Sequence, residues 1–338
     1  MQNYKKIGKQ SYYIESPVSI TGFACVGGKK EGEGPLGDLF DMVGEDPMFG
    51  CDSWEDAEGT LQKEALTLAI GKSKIEKWQL RYLFAGDLLG QSIASTFGLG
   101  TFQVPYFGIY GACSTCGEGL SLGAMTVAAG YADKVLAVTS SHFASAEKQF
   151  RFPLGYGNQR PLSATWTVTG SGAFLLGTEP GIAKITGITT GTIQDYGVKD
   201  TMNMGACMAP AAADTIYQNL MDFEIQPDEY DHIITGDLGY VGQEILIELL
   251  RDKGYDIEKQ HMDCGIEIFD RETQDTHSGG SGCGCAASVL SAYILPNIAN
   301  GNWKKILFVP TGALLSPVSF NEGQSIPGIA HGVVIEAI

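Results

Sequence analysis

The chain has 338 residues, of which 44% are hydrophobic and 18% charged, and its formal net charge at pH 7 is −17. This length is sufficient for one large layered body or for two domains with substantial cores. The acidic balance argues against nucleic acid or an anionic membrane surface as a direct electrostatic partner, because both carry negative charge.

Spanning segments, secretion signals and disulfide frameworks are not indicated. No stretch approaches the roughly 18 unbroken apolar residues that a membrane span needs, and the polar, basic start does not resemble a secretory signal. The eight cysteines are irregularly spaced, which is not typical of a disulfide framework. The pairs Cys113/Cys116 and Cys283/Cys285 could suggest a redox or zinc site, but no His/Cys cluster accompanies them. We expect a protein on the cytoplasmic side of its membrane, with no metal and no cofactor.

Two series of similar elements follow one another along the chain. Each consists of a strand, a small-residue helix, a second strand and a final strand, at 82–88, 114–129, 134–140 and 169–177 in the first series and 232–238, 286–299, 305–311 and 330–337 in the second. The common order predicts a duplicated α/β fold with mixed sheets and right-handed crossovers. We place the boundary after residue 178, which gives halves 1–178 and 179–338.

Cys113 stands between a turn-prone glycine and the predicted helix at 114–129. A thiol at a helix N-terminus faces unpaired N–H groups and the positive end of the helix dipole, which favour the thiolate. The corresponding turn of the second half is rich in glycine and places Gly284 near the position of Cys113. If a pseudo-two-fold axis relates the halves, both helix starts point at one central cleft, which suits a small anion.

A duplicated α/β chain with a cysteine at this place resembles the thiolase superfamily, which includes the ketoacyl synthases. That resemblance implies α/β/α/β/α layers and a homodimer. Longer runs resemble the stage V sporulation protein AD family, at residues 33–40, 86–88, 111–115, 140–153, 208–215, 279–283, 311–317 and 329–334. This second resemblance implies a protein of endospore formers that binds dipicolinic acid and takes part in its uptake into the forespore. It also implies peripheral association with the forespore membrane through the membrane-spanning SpoVA proteins.

The catalytic groups of the condensing enzymes are not matched. Beside its thiolate, such an enzyme needs two histidines, or a histidine and an asparagine, to stabilise the thioester oxyanion and to drive decarboxylation or proton removal. Where the ketoacyl synthases carry a histidine after the second-half strand, this chain has Gly236-Asp237-Leu238, and residues 279–285 contain no asparagine. We therefore expect a binding protein and not an enzyme. The alternatives are a condensing enzyme that uses Cys113 and coenzyme A, and a scaffold for membrane partners with a vestigial pocket.

Four residues are predicted to bind dipicolinate, alone or as its calcium chelate. This flat pyridine with two carboxylates calls for a cation, hydrogen-bond donors and an aromatic slot. Arg151, between two phenylalanines, is the candidate cation, and His142 could donate a hydrogen bond. Asp87 could orient either of them or meet calcium. The alternatives are a surface position for Arg151, a helix-capping role for Asp87, and a purely structural role for Cys113.

Overall fold

The computed structural model describes residues 4–150 and 159–338. The strands are β1 Tyr4–Ile7, β2 Ser11–Gly27, β3 Met42–Val43, β4 Tyr82–Gly86, β5 Tyr106–Gly108, β6 Lys134–Ser141, β7 Trp166–Thr167, β8 Gly170–Gly177, β9 Ala183–Thr190, β10 His232–Thr235, β11 His261–Asp263, β12 Gly280–Ser281, β13 Lys305–Val309, β14 Thr311–Ala313 and β15 Gly328–Ala337. The helices are α1 Lys29–Gly32, α2 Trp54–Ser73, α3 Ile93–Leu99, α4 Thr115–Ala128, α5 Phe143–Phe150, α6 Met204–Phe223, α7 Gly239–Asp252, α8 Cys264–Glu267, α9 Cys283–Val289, α10 Leu295–Ala299 and α11 Pro317–Asn321.

The main sheet consists of two halves with the same strand order. The first half runs β5-β4-β6-β8-β2 and the second runs β11-β10-β13-β15-β9. In each half the three outermost strands pair in parallel and the remaining pairs are antiparallel. Antiparallel pairing of β2 with β9 joins the halves into one sheet. The repeated order confirms the predicted duplication, and the boundary after residue 178 falls between β8 and β9.

Helices cover the outer faces of the two halves and also fill the space between them. In the first half, helix α2 packs against β2, β8 and β6. In the second half, α6 packs against β15 and also contacts α7. Helices α4 and α9 contact strands of the first half as well as each other, and α4 also contacts β15 and β9. Their positions are explained by composition, since both are rich in glycine, alanine and cysteine and are buried on most sides. The result is the α/β/α/β/α arrangement.

The second central helix differs from its prediction. It begins at Cys283, three residues earlier than predicted, and a π turn at Leu290–Ile294 separates α9 from α10. Pro296 follows this turn. A proline has no backbone N–H to donate and its ring crowds the carbonyl four residues earlier, so a regular helix is interrupted here. Within the described residues, no helix is both long and apolar enough to span a bilayer.

Gly284 packs against the first half so closely that a side chain has no space. A Cβ at this position would lie 2.2 Å from the carbonyl oxygen of Gly170 and 2.7 Å from the backbone nitrogen of Ser141. Gly71, near the end of α2, has no atom within 4 Å of the corresponding Cβ position. Both glycines lie in helices, but only Gly284 is tightly packed, so Gly71 serves as its matched control for substitution by alanine.

We expect Gly284→Ala to lower the free energy of unfolding by roughly 1–3 kcal/mol, because the halves must separate locally to admit the methyl group. Gly71→Ala should raise it by up to about 1 kcal/mol through helix propensity. Urea unfolding followed by circular dichroism measures both. Equal stability of Gly284→Ala and the parent would contradict the close packing of the two halves.

Candidate functional site

The turn before α4 fixes the position of Cys113 through its own hydrogen bonds. The backbone N–H of Gly111 donates to the Thr115 hydroxyl (3.0 Å), which in turn donates to the carbonyl of Ala112 (2.6 Å). Ala112 has a φ of 51°, in the left-handed region that costs a non-glycine residue energy. Such a conformation persists only where the surroundings determine it, so the thiol is held in one place.

The second half packs directly against this turn. A Cβ on Gly312, in β14, would lie 2.2 Å from the carbonyl oxygen of Gly111 and 3.1 Å from the backbone nitrogen of Cys113. Gly282, immediately before α9, has a φ of 106°, which only glycine adopts easily. Backbone from both halves therefore encloses the thiol, and Cys113 is only 8% exposed.

Asp237 lies beside the thiol and is fully buried. Its carboxyl group accepts hydrogen bonds from the backbone N–H of Gly282 (2.7 Å) and from the hydroxyls of Ser281 and Thr311 (both 3.2 Å), and it interacts with the Cys113 thiol. Burial raises the pKa of Asp237 to about 7. Burial, reinforced by Asp237, also raises the pKa of Cys113 well above its ordinary value. The expectation that the helix start favours a thiolate is therefore wrong, because desolvation outweighs the helix dipole.

A cavity of about 50 Å³ lies above the thiol. Its walls are mainly apolar and aromatic, with a few polar groups, and are formed by Leu88, Tyr110, Ala112, Cys113, Ala146, Glu147, Phe150, Thr167, Met204, Ser281, Ala313 and Leu315. A second depression of about 320 Å³ shares Tyr110, Phe150 and Leu315 with it and extends outward. Among the described lining residues of both spaces, Glu147 is the acidic residue, and none of them is a lysine, arginine or histidine.

Of the four predicted ligand residues, the described structure brings one to the cavity. Cys113 lines it. Arg151 lies outside the described residues. His142 is not part of the lining, because its Nε2 bonds to the carbonyl of Pro47 (2.7 Å) and its Nδ1 accepts the N–H of Ala144 (3.1 Å). Both ring nitrogens of His142 are thus engaged within the protein.

Asp87 is also absent from the lining and occupies a capping position. Its carboxylate accepts hydrogen bonds from the N–H of Leu89 (2.9 Å) and from the N–H and hydroxyl of Ser95 (2.8 and 2.6 Å). Asp237 stands at the corresponding place in the second half, within Gly236-Asp237-Leu238, but it has a different role. Asp263 holds the start of α7, through the N–H groups of Leu238 (2.8 Å) and Gly239 (3.0 Å). Asp237 is thereby free to face the centre.

Glu58 and Asp87 form a buried carboxyl pair behind the cavity, and the part played by Glu58 was not predicted. Glu58 on α2 accepts hydrogen bonds from the hydroxyls of Ser140 (3.0 Å) and Ser145 (2.5 Å). Burial, and next the negative charge of Asp87, raises the pKa of Glu58 to about 8. The available signal was Gln62, four residues further along α2, which repeats a polar side chain on the same helix face. Through its hydrogen bond with Ser145, Glu58 links α2 to α5. Helix α5 forms one wall of the cavity.

None of the five histidines lines the cavity among the described residues. His261 bonds to Thr235 (3.0 Å), His277 to the carbonyl of Pro161 (2.8 Å), and His232 packs on Trp303. Burial lowers the pKa of His261 and His331 to about 4. The described part of the chain also contains no cluster of three His, Cys, Asp or Glu side chains arranged to hold a metal.

Comparisons with known proteins identify the family. The sequence profile described as stage V sporulation protein AD matches residues 8–336. The stage V sporulation protein AD of Bacillus subtilis is 42% identical over 332 residues, which are 98% of each chain. The chain belongs to the stage V sporulation protein AD family. The resemblance inferred from the sequence motifs is confirmed.

Solved structures with similar folds are condensing enzymes and an acyltransferase. The 3-oxoacyl-[acyl-carrier-protein] synthase III of Aquifex aeolicus is 13% identical over 94% of this chain and 99% of its own, with a TM-score of 0.55. A histidine-to-aspartate variant of OleA from Xanthomonas campestris is 14% identical over 95% and 98%, with a TM-score of 0.58. The acyltransferase ChlB3 is 13% identical over 95% and 98%, with a TM-score of 0.59. At these identities the likeness establishes the thiolase-like fold and no activity.

The raised pKa of Asp237 predicts a pH-dependent contribution to stability. A group whose folded pKa exceeds its unfolded value binds more protons in the folded state. Its contribution is therefore complete below about pH 3.8, declines as pH rises, and is lost above about pH 7. The full span is at most about 4 kcal/mol.

In Asp237→Asn this titration is absent, while the amide oxygen can still accept from Gly282. Urea unfolding at several pH values should show the stability of the parent, relative to the variant, decreasing between about pH 4 and 7. Asp228→Asn, at an exposed position, is the control and should keep the slope of the parent. A difference between parent and Asp237→Asn that does not change with pH would exclude a proton on Asp237.

Proposed function

We propose that this protein binds dipicolinic acid, as the free dianion or as its calcium chelate, in the Cys113 cavity and the adjoining depression. Membership of the family supports a role in sporulation, and we propose that binding serves the uptake of dipicolinate into the forespore. The observation that carries the proposal is a cavity built around a protonated thiol, with aromatic walls and no histidine among its described lining residues.

The lining groups suit a flat, polar ring. Tyr110 and Phe150 border both the cavity and the depression and can contact the faces of a pyridine. The hydroxyl of Thr167 can donate a hydrogen bond to a carboxylate, whereas the hydroxyl of Ser281 already donates to Asp237. The cavity alone is too small for this ligand, but the depression of about 320 Å³ lies within the roughly 300–1,000 Å³ of small-molecule sites.

Charge compensation is the main requirement that the described lining does not meet. Two ligand carboxylates would face Glu147 and, behind the wall, Asp237. A dianion in such a place needs a cation within a few ångströms. Arg151, which follows α5 directly in the sequence, is the protein group that we propose for this role. Calcium brought in with the ligand is the other source of positive charge, and it would bind carboxylate oxygens such as those of Glu147.

A condensing enzyme is the second candidate, because the proteins of similar fold include such enzymes. The usual chemistry needs a thiolate and a positively charged or neutral hydrogen-bond donor for the oxyanion. Here the thiol has a raised pKa and its neighbour is a carboxyl group. An ionised Asp237 would destabilise both the thiolate and the oxyanion. The site therefore favours binding over catalysis.

We further propose that the protein is a homodimer that is held at the forespore membrane by the SpoVA proteins. The edge of the first-half sheet supports self-association. Strand β5 is the last strand there, and its Tyr106 and Phe107 are 38% and 51% exposed. An apolar edge strand of this kind is a surface that proteins cover by pairing.

Arg151 and Cys113 are expected to differ in their contribution to binding. Arg151→Ala should weaken dipicolinate binding by about 30-fold to several thousand-fold, which corresponds to roughly 2–5 kcal/mol for a lost charge-assisted contact. Arg151→Lys should recover part of this loss, because an ammonium group cannot reproduce the planar fork. Cys113→Ala should cost only about 1 kcal/mol.

Isothermal titration of each variant with dipicolinate, with and without equimolar calcium, measures the order, and thermal melting checks the fold. Tight binding that needs calcium and is indifferent to Arg151→Ala would assign charge compensation to the metal. Parent-like binding by folded Arg151→Ala without calcium would show that the arginine belongs to the surface.

The purified protein should show no ketoacyl-synthase or thiolase turnover with acyl-coenzyme A substrates, because the group beside the thiol is Asp237. Release of coenzyme A from acetyl-coenzyme A, followed with a thiol reagent, measures this. Asp237→His tests the physical reason, since it restores a neutral nitrogen base beside Cys113. Turnover by the parent that disappears in Cys113→Ala would contradict the proposed binding function.

A further inference from the structure

The end of α2 and its connection to β4, which together we call the basic turn (residues 72–81), are unusual in this acidic chain. The basic turn has four of the protein's 22 lysines and arginines within ten residues, and a single acid, Glu76. At its tip, a 3₁₀ turn at Lys77–Gln79 presents Trp78 with 79% of its surface exposed. A tryptophan exposed to this extent is costly in water and often marks an interaction surface.

The basic turn is held in shape by its own hydrogen bonds. The backbone N–H of Gln79 donates to the carbonyl of Glu76 (2.9 Å), and the side chain of Gln79 accepts the N–H of Glu76 (2.8 Å). Trp78 is thus presented on a preformed protrusion.

Three cations of the basic turn have no acidic partner. Within residues 4–150 and 159–338, no carboxylate forms an ion pair with Lys74, Lys77 or Arg81, whereas Lys72 pairs with Asp41 at 2.7 Å. Lys77 and Arg81 border the same depression as Trp78, and Lys74 is a third exposed cation of the basic turn. In a protein with 39 acidic residues, these cations form a local excess of positive charge.

Tyr131 extends this surface from the neighbouring loop. It is 74% exposed, and it borders the same depression as Lys77, Trp78 and Arg81. Asp133 is the acidic residue in that lining. Exposed tryptophan and tyrosine between lysine and arginine side chains is the composition found where proteins meet the headgroup layer of a bilayer.

We propose that the basic turn and Tyr131 form a docking surface for an anionic phospholipid bilayer. Trp78 and Tyr131 lie at headgroup level, and Lys74, Lys77 and Arg81 neutralise lipid phosphates. The net charge of −17 repels such a membrane at long range, but salt screens charges beyond about 8–10 Å, so the local cations dominate at contact. This docking is independent of dipicolinate binding, and either can fail without the other.

Co-sedimentation of the purified full chain with vesicles tests the proposal. Vesicles of phosphatidylcholine with 30–50% phosphatidylglycerol, roughly the range in which anionic charge dominates, are compared with pure phosphatidylcholine. We expect binding to the anionic vesicles only, and its loss as salt is raised to about 0.5 M.

Single substitutions identify the contacts. Lys77→Gln and Arg81→Gln should each weaken partitioning about fivefold, the equivalent of about 1 kcal/mol per cation. Trp78→Ala should weaken it about tenfold through lost apolar contact. Matched controls in the second half are Lys259→Gln, also an exposed lysine, and Tyr196→Ala, an aromatic residue that is 63% exposed. Both should bind like the parent.

Two outcomes would overturn the proposal. One is a parent protein that does not sediment with anionic vesicles at low salt. In that case, a loss of self-association in Trp78→Ala by analytical ultracentrifugation would assign the surface to a second copy of the chain, and unchanged self-association would leave it to another protein partner. The other is binding that the substitutions at Trp78 and Lys77 weaken no more than the controls do.

Discussion

Asp237 and Cys113 meet where the two halves of the molecule touch, and no cation pairs with Asp237 among the described residues. Backbone of β14 and the glycine turn before α9 pack against the cysteine turn so closely that the space is nearly dry. In such surroundings an uncompensated charge is expensive, so both groups hold their protons more strongly than in water. This one constraint is the physical reason for the proposed binding function, because the chemistry of condensing enzymes begins with an ionised thiol.

The same physics recurs around the site. Burial raises the pKa of Glu58 to about 8 and that of Glu31 to about 7, and in both cases hydroxyl or backbone groups supply the hydrogen bonds. Neutral carboxyl groups can both donate and accept, which lets them join elements that contribute only serine, threonine and backbone groups. Protons held by Glu58 and Glu31 therefore reduce the fixed negative charge of the interior, while Glu147 still lines the cavity.

Much of the fold follows from local sequence patterns, whereas the site depends on packing. The repeated strands and the helix at 114–129 could be predicted because apolar runs and Gly-Asp-Leu turns recur in order. The pairing of β2 with β9 could not, since β2 mixes polar and apolar residues and its partner lies far along the chain. Asp87 and Asp237 have the same sequence context, yet Asp263 takes over the capping role in one half. His142 follows the expected strand, but its ring turns to Pro47. Such choices depend on tertiary neighbours that no short motif specifies.

The parallel strands of the first half relate the proposed ligand site to the proposed membrane surface. Leu88 and Tyr110 follow the carboxyl ends of β4 and β5, and they border the cavity. Arg81 and Asp133 precede the amino ends of β4 and β6, and they border the depression beside Trp78. A five-residue strand such as β4 spans about 16 Å, so the two surfaces lie at opposite ends of the parallel strands. A protein docked through Trp78 would consequently keep the mouth of the Cys113 cavity away from the lipid. Ligand could then enter from the aqueous side while the protein remains attached, which neither a buried nor a membrane-facing cavity would permit.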